Sequence, residues 1–108
     1  MAWFYLMLAG LMEIGWPLGF KISQQPQWRW PGIALAVACL TFSTVFLWFA
    51  QKSIPIGTAY AVWTGIGAVG VFATGIWLFG ESGSMLRVGS AALIVMGMVG
   101  LKLAEGTA

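Results

Sequence analysis

WFYLMLAGLMEIGWPLGF, residues 3–20, is an apolar run broken by charge at one position, Glu13. A run of this length crosses a bilayer as an α-helix, which needs roughly 20 residues at about 1.5 Å of rise each. Glu13 is the only acidic residue in the first eighty, and in such a helix it falls well below the headgroups. A carboxylate at that depth costs at least ~2.5 kcal/mol. Glu reaches less far than Lys or Arg, so snorkelling from mid-span is a poor escape. An ionisable residue placed in this way reads by default as a functional site. The plainer alternative is a protonated side chain serving only as a hydrogen bond between helices.

The rest of the chain agrees with a membrane setting. It is 60% hydrophobic and 7% charged, with mean hydropathy +0.91, against about 25% charged in soluble domains. Polar, turn-prone punctuation leaves four apolar segments, at about 3–20, 31–50, 57–79 and 86–104. The connectors hold Gln24, Gln25, Pro26, Gln27 and Arg29, then Lys52 and Pro55, then Glu81. None has room for a soluble module. The expectation is an all-α integral membrane protein, one four-helix transmembrane domain over residues 1–108. Met1-Ala2-Trp3-Phe4 lacks a basic leader and no small-residue cleavage pattern follows, so the first helix is expected to stay in the protein. Cys39 is alone and mid-segment and there is no His, so no disulfide or metal set is expected, nor any cofactor. A net charge of +2, spread along the chain, does not point to nucleic acid.

Four helices are few for moving a polar solute, because one small bundle has little interior shielded from lipid. That argues for an oligomer. Gly89, Leu93 and Gly97 fall on one stripe of the fourth segment, with Ala92, Met96 and Gly100 beside it. Small residues let helix backbones approach closely in lipid, so this stripe is a candidate dimer seam; the simpler explanation is that glycine is common in membrane helices. If the helices alternate in direction, Lys52 and Lys102 lie on one side and Lys21, Arg29 and Arg87 on the other. Orientation normally follows an excess of Lys and Arg in cytoplasmic loops. Two against three is nearly no excess. Insertion both ways up, and hence an antiparallel homodimer, is open to such a chain, as is a weakly biased single orientation.

Around Glu13, the neighbours three and four positions away are Ala9, Gly10, Trp16 and Pro17. Tyr60 and Trp63 are one turn apart on the third segment, with Gly67 a turn further; Thr41, Ser43 and Thr44 bring hydroxyls to the second. A buried acid, aromatic faces and hydroxyls together make a cation site: the carboxylate supplies charge, the rings supply cation–π attraction, and hydroxyls orient the acid. Trp3, Trp28 and Trp30 read as interface anchors. Trp16 and Trp63 lie deeper, where plain packing is the competing explanation. Gly65, Gly67 and Gly70 weaken the third helix, so Gly65-Ile66-Gly67 is a candidate hinge, with close packing as its alternative. Pro17 frees a backbone carbonyl beside the acid.

The stretch MEIGWPLGFK at residues 12–21 and the run Ile54-Pro-Ile-Gly-Thr-Ala-Tyr-Ala-Val-Trp-Thr-Gly-Ile-Gly67 resemble the small multidrug resistance family, and the resemblance extends over essentially the whole chain. Trp16, where the multidrug branch carries Gly, and Gly-Leu-Lys at 100–102 are similar to the guanidinium-exporter branch. The resemblance implies an antiparallel, dual-topology homodimer in the bacterial inner membrane that exports cations in exchange for protons. It implies Glu13 as the shared proton and substrate site, with Trp16, Ser43, Tyr60 and Trp63 lining the pocket. Pro17 departs from the branch, where Ala is expected, and lies next to two of these residues.

On that basis two Glu13 carboxyls face each other in a dimer, and their titrations belong to the pair. Proton and substrate compete for one charge site, which gives exchange without a second binding locus. Guanidinium suits it: the ion is planar, stays charged, offers paired N–H donors to a carboxylate, and can stack on an indole. Alternatives are an exporter of quaternary ammonium cations, a passive cation channel and a purely structural membrane subunit. An enzyme is disfavoured, since no metal set, no nucleophile paired with a base and no phosphate-binding loop stands in the sequence.

Overall fold

The computed structural model describes the backbone of residues 1–107 and the side chains of residues 1–104. Among the described residues four helices follow one another: α1 (Ala2–Ser23), α2 (Arg29–Ala50), α3 (Ile56–Phe79) and α4 (Met85–Thr107). A 3-10 turn, Pro26–Trp28, precedes α2. Helices of 22 to 24 residues are about 33–36 Å long, enough to cross a hydrocarbon core of roughly 30 Å. Among the described residues, Pro26–Ala50, Ile56–Phe79 and Met85–Ala104 are apolar enough by composition to do so. Helix α1 is of similar length but carries Glu13, Pro17, Trp3, Tyr5 and Trp16.

The helices end where the local chemistry requires. Helix α1 runs past the apolar run to Ser23, and the Gln24 and Gln25 amides donate back to the Lys21 and Ile22 carbonyls at 3.2 Å each. The Lys21 charge sits in this last turn, where it suits the helix dipole. Gln25 is extended (φ −84°, ψ 130°) because Pro26 excludes the helical region for the residue before it. Helix α3 stops at Gly80 in the left-handed region (φ 66°, ψ 26°), a conformation that costs glycine little. The Glu81 N–H then closes the end onto the Gly75 carbonyl at 3.1 Å. Ser84 opens α4 by accepting from the Arg87 N–H at 3.3 Å.

Helix α1 lies at the centre, packed on α2 and α3, while among the described residues the backbone of α4 approaches that of α3 alone. The buried apolar side chains are mostly small: Leu6, Ala9, Ala36, Ala50, Ile54, Ala59 and Val62. Close backbone approach replaces large side chains. A Cβ added at Gly19 would stand 2.7 Å from the Gly32 carbonyl oxygen and from the Ala36 nitrogen, so α1 and α2 touch main chain to main chain. This is how helices gain contact where the hydrophobic effect gives no help. Pro17 has no N–H, so the carbonyl of Glu13 lacks its regular helical donor, yet α1 continues without a break.

The result is a slab measuring 50 × 34 × 16 Å between backbone extremes. Its thickness holds about two helix layers. No described side chain of α4 is buried. Basic residues gather at the two ends. Lys102 lies over the Trp3 ring at 4.9 Å and Lys52 over Trp48 at 4.3 Å; Lys21 lies over Phe79 at 5.9 Å and Arg87 over Phe72 at 4.9 Å.

Candidate functional site

Helix α1 carries Glu13 and Trp16 one turn apart, and the spacing brings the two side chains together. The Trp16 indole N–H donates to the Glu13 carboxyl at 2.7 Å. Helix α2 presents Ser43, fully buried, whose hydroxyl donates to the Ala9 carbonyl at 2.7 Å. The same hydroxyl accepts from the Trp63 indole N–H of α3 at 2.8 Å, and Ser43 neighbours the Glu13 carboxyl. Glu13, Trp16, Ser43 and Trp63 are therefore one connected polar set, contributed by three helices.

Room for the acid comes from α3. A Cβ added at Gly67 would stand 2.5 Å from Glu13 Cγ, so the bare backbone at this position accommodates the Glu13 side chain. Tyr60 lies one turn from Trp63, its ring tilted 55° with centroids 5.4 Å apart. At 56% exposure it forms the outer edge of the aromatic face and leaves the enclosed part to Trp63.

The remaining sequence candidates stand elsewhere. The Thr41 and Thr44 hydroxyls donate to carbonyls of their own helix, at Val37 and at Leu40 and Thr41, and do not join the set. Gly65 faces Met98 and Ile94 of α4, and α3 is continuous through Gly65 and Gly67. Nothing lies within 4 Å of a Cβ added at Gly89 or Gly97, and Leu93 is 68% exposed, so that stripe of α4 is open. One participant has no signal in the sequence. The Ala9 carbonyl is an acceptor available to any residue type, and only the close crossing of α1 and α2 brings Ser43 onto it.

The chemistry of the set follows from its donors. The Trp16 N–H bonds the carboxyl directly, and the Ser43 hydroxyl beside it is held in turn by the Trp63 N–H, on a face lined by aromatic rings. Ser43 has a single proton, which it donates to the Ala9 carbonyl, and its oxygen is open to a proton carried by Glu13. A protonated Glu13 can donate to the Ser43 oxygen, and an ionised one accepts from the Trp16 N–H already in place. The carboxyl therefore has partners in both protonation states.

Comparison with known proteins is consistent with these features. The family model described as Small Multidrug Resistance protein matches residues 1–96. The guanidinium exporter of Escherichia coli is 48% identical over 103 residues, spanning 95% of this chain and 97% of that protein. The guanidinium exporter of Yersinia pseudotuberculosis is 51% identical over 105 residues, spanning 97% of this chain and all of that protein. The guanidinium exporter of Citrobacter freundii is 48% identical over 103 residues. With a matching pattern over most of its length and relatives at about half identity end to end, the chain belongs to the Small Multidrug Resistance protein family.

Proposed function

We propose that the protein is a proton-coupled antiporter that exports guanidinium and small substituted guanidinium ions across the bacterial inner membrane. The observation that carries this reading is the Glu13 carboxyl, held mid-helix by the Trp16 indole at 2.7 Å with Ser43 as a neighbour. In this reading Glu13 takes either a proton or the substrate cation. Trp16, Ser43, Tyr60 and Trp63 line the pocket, with indole faces stacking on the planar ion and its N–H pairs bonding the carboxylate. The names of the relatives support the substrate class.

The working unit is an antiparallel homodimer of four-helix membrane domains. A single slab of 16 Å has too little depth to enclose a carboxylate on all sides, and the open stripe at Gly89, Leu93 and Gly97 supplies the seam. Gly65 and Gly67 serve as the hinge by which α3 rearranges between the two access states. The natural test is transport in proteoliposomes. With an imposed proton gradient and no initial guanidinium gradient, guanidinium should accumulate against its own concentration. Equilibration without accumulation would instead indicate a passive channel, and equal transport of bulky quaternary ammonium cations would indicate the broader exporter.

A further inference from the structure

At the end of the slab where α1 turns into α2, Lys21, Ile22, Gln24, Gln25, Trp28 and Phe79 surround an open pocket of about 580 Å³. It stands apart from Glu13, and the transport reading makes no use of it. Its side-chain donors are the Lys21 ammonium and the Gln24 and Gln25 amides. Lys21 is exposed and makes no ion pair among the described residues; the one such pair, Arg87 with Glu81 at 3.6 Å, lies at the start of α4. The Gln27 amide donates to Gln25 Oε1 at 3.3 Å, which turns the Gln25 amide so that its own N–H₂ remains to donate. Gln24 adds a second amide. This end of the chain carries Lys21, Arg29 and Arg87 against Glu81, three positive charges less one negative, or +2.

We infer that this pocket binds the phosphate of an anionic phospholipid headgroup. Lys21 and the two glutamine amides would hold the phosphate oxygens. Trp28 is 53% exposed at the level where indoles settle between water and acyl chains. Basic pockets between membrane helices at the headgroup level are where anionic lipids are held specifically. A free phosphate offers the same oxygens, but the surroundings favour a lipid. Phe20, next to Lys21, is 42% exposed and Leu78, next to Phe79, is 53% exposed, so apolar surface for acyl chains begins where the pocket ends.

Native mass spectrometry of the detergent-purified protein, titrated with dioleoyl-phosphatidylglycerol or dioleoyl-phosphatidylcholine, tests this without reference to transport. Phosphatidylglycerol should bind more tightly than phosphatidylcholine. Lys21→Gln should lower its affinity about fivefold, the effect of one basic residue near an anionic surface. Lys21→Arg should keep it, and Lys52→Gln, at the opposite end, should leave it unchanged. Should Lys21→Gln fail to fold, Gln24→Glu serves in its place, because a carboxylate in the pocket should reject phosphatidylglycerol. Equal affinity for the two lipids, or an unchanged affinity in the Lys21→Gln or Gln24→Glu protein, would overturn the inference. So would displacement of the lipid by millimolar inorganic phosphate, which would make the pocket a site for soluble anions.

Discussion

Trp16 donates to Glu13 through its indole N–H, and its ring is also a flat face beside the charge. Replacing it with Gly removes both the donor and a stacking surface worth up to ~2 kcal/mol when desolvated, and leaves new volume. Guanidinium affinity should fall by up to about thirtyfold, and larger aromatic cations should gain entry. A competition binding assay reads both changes, and unchanged selectivity would make Trp16 a packing residue. Gly67 offers a second test at this scale. Its Cβ position is 2.5 Å from Glu13 Cγ, so Gly67→Ala should displace the acid and weaken guanidinium binding, while Gly57→Ala, in open space at the start of α3, should not. Glu13 was legible in the sequence because a lone carboxylate in an apolar run has few structural excuses, and Trp16 because helical spacing puts it one turn away. Gly67 was legible as a position one turn beyond Trp63 and as a possible weakness in α3. That it accommodates the Glu13 side chain depends on how α1 lies across α3, which no spacing along either helix encodes.

The four helices follow from long apolar runs separated by Gln, Pro, Gly and charge, and an all-helical membrane fold could be read from those alone. Their order of packing could not. Helix α1 is central because Gly10, Gly15 and Gly19 let it approach its neighbours, Ile66 of α3 at Gly10, Cys39 of α2 at Gly15 and Gly32 of α2 at Gly19. Which glycines meet a partner depends on crossing points fixed by the whole assembly. Gly19 is the clearest case, since its Cβ would strike backbone that has no rotamer to yield. Gly19→Ala should destabilise the fold by about 1–3 kcal/mol, the range for overpacking. Thermal unfolding in detergent would register this as an earlier transition than for Gly97→Ala, where nothing lies within 4 Å. Equal effects would mean that α1 and α2 do not cross at this point.

At the scale of the molecule, the backbone of α4 approaches that of α3 alone among the described residues, and α4 buries no described side chain. An exposed Leu93 between two unobstructed glycines suits a second copy as its cover. The charge balance of Lys52 and Lys102 against Lys21, Arg29 and Arg87 gives insertion almost no bias. A cysteine placed in the 51–55 loop should therefore be labelled on intact cells in about half the molecules by a membrane-impermeant thiol reagent, insertion being an even choice. Two Lys added beside Lys52 should align all copies and abolish export, and co-expression with an oppositely biased variant should restore it. Labelling near all or near none of the unaltered protein would establish a single orientation.

Competition between proton and guanidinium at one carboxyl has a direct signature in the absence of any membrane. Guanidinium added to the detergent-solubilised protein in weakly buffered solution should displace protons from Glu13, and a pH-sensitive dye should record their release. The release should saturate with guanidinium occupancy and vanish in Glu13→Gln, which keeps the shape of the side chain but has no proton to exchange. Guanidinium binding of undiminished affinity with no proton release from the unaltered protein, or proton release that persists in Glu13→Gln, would contradict exchange at this residue.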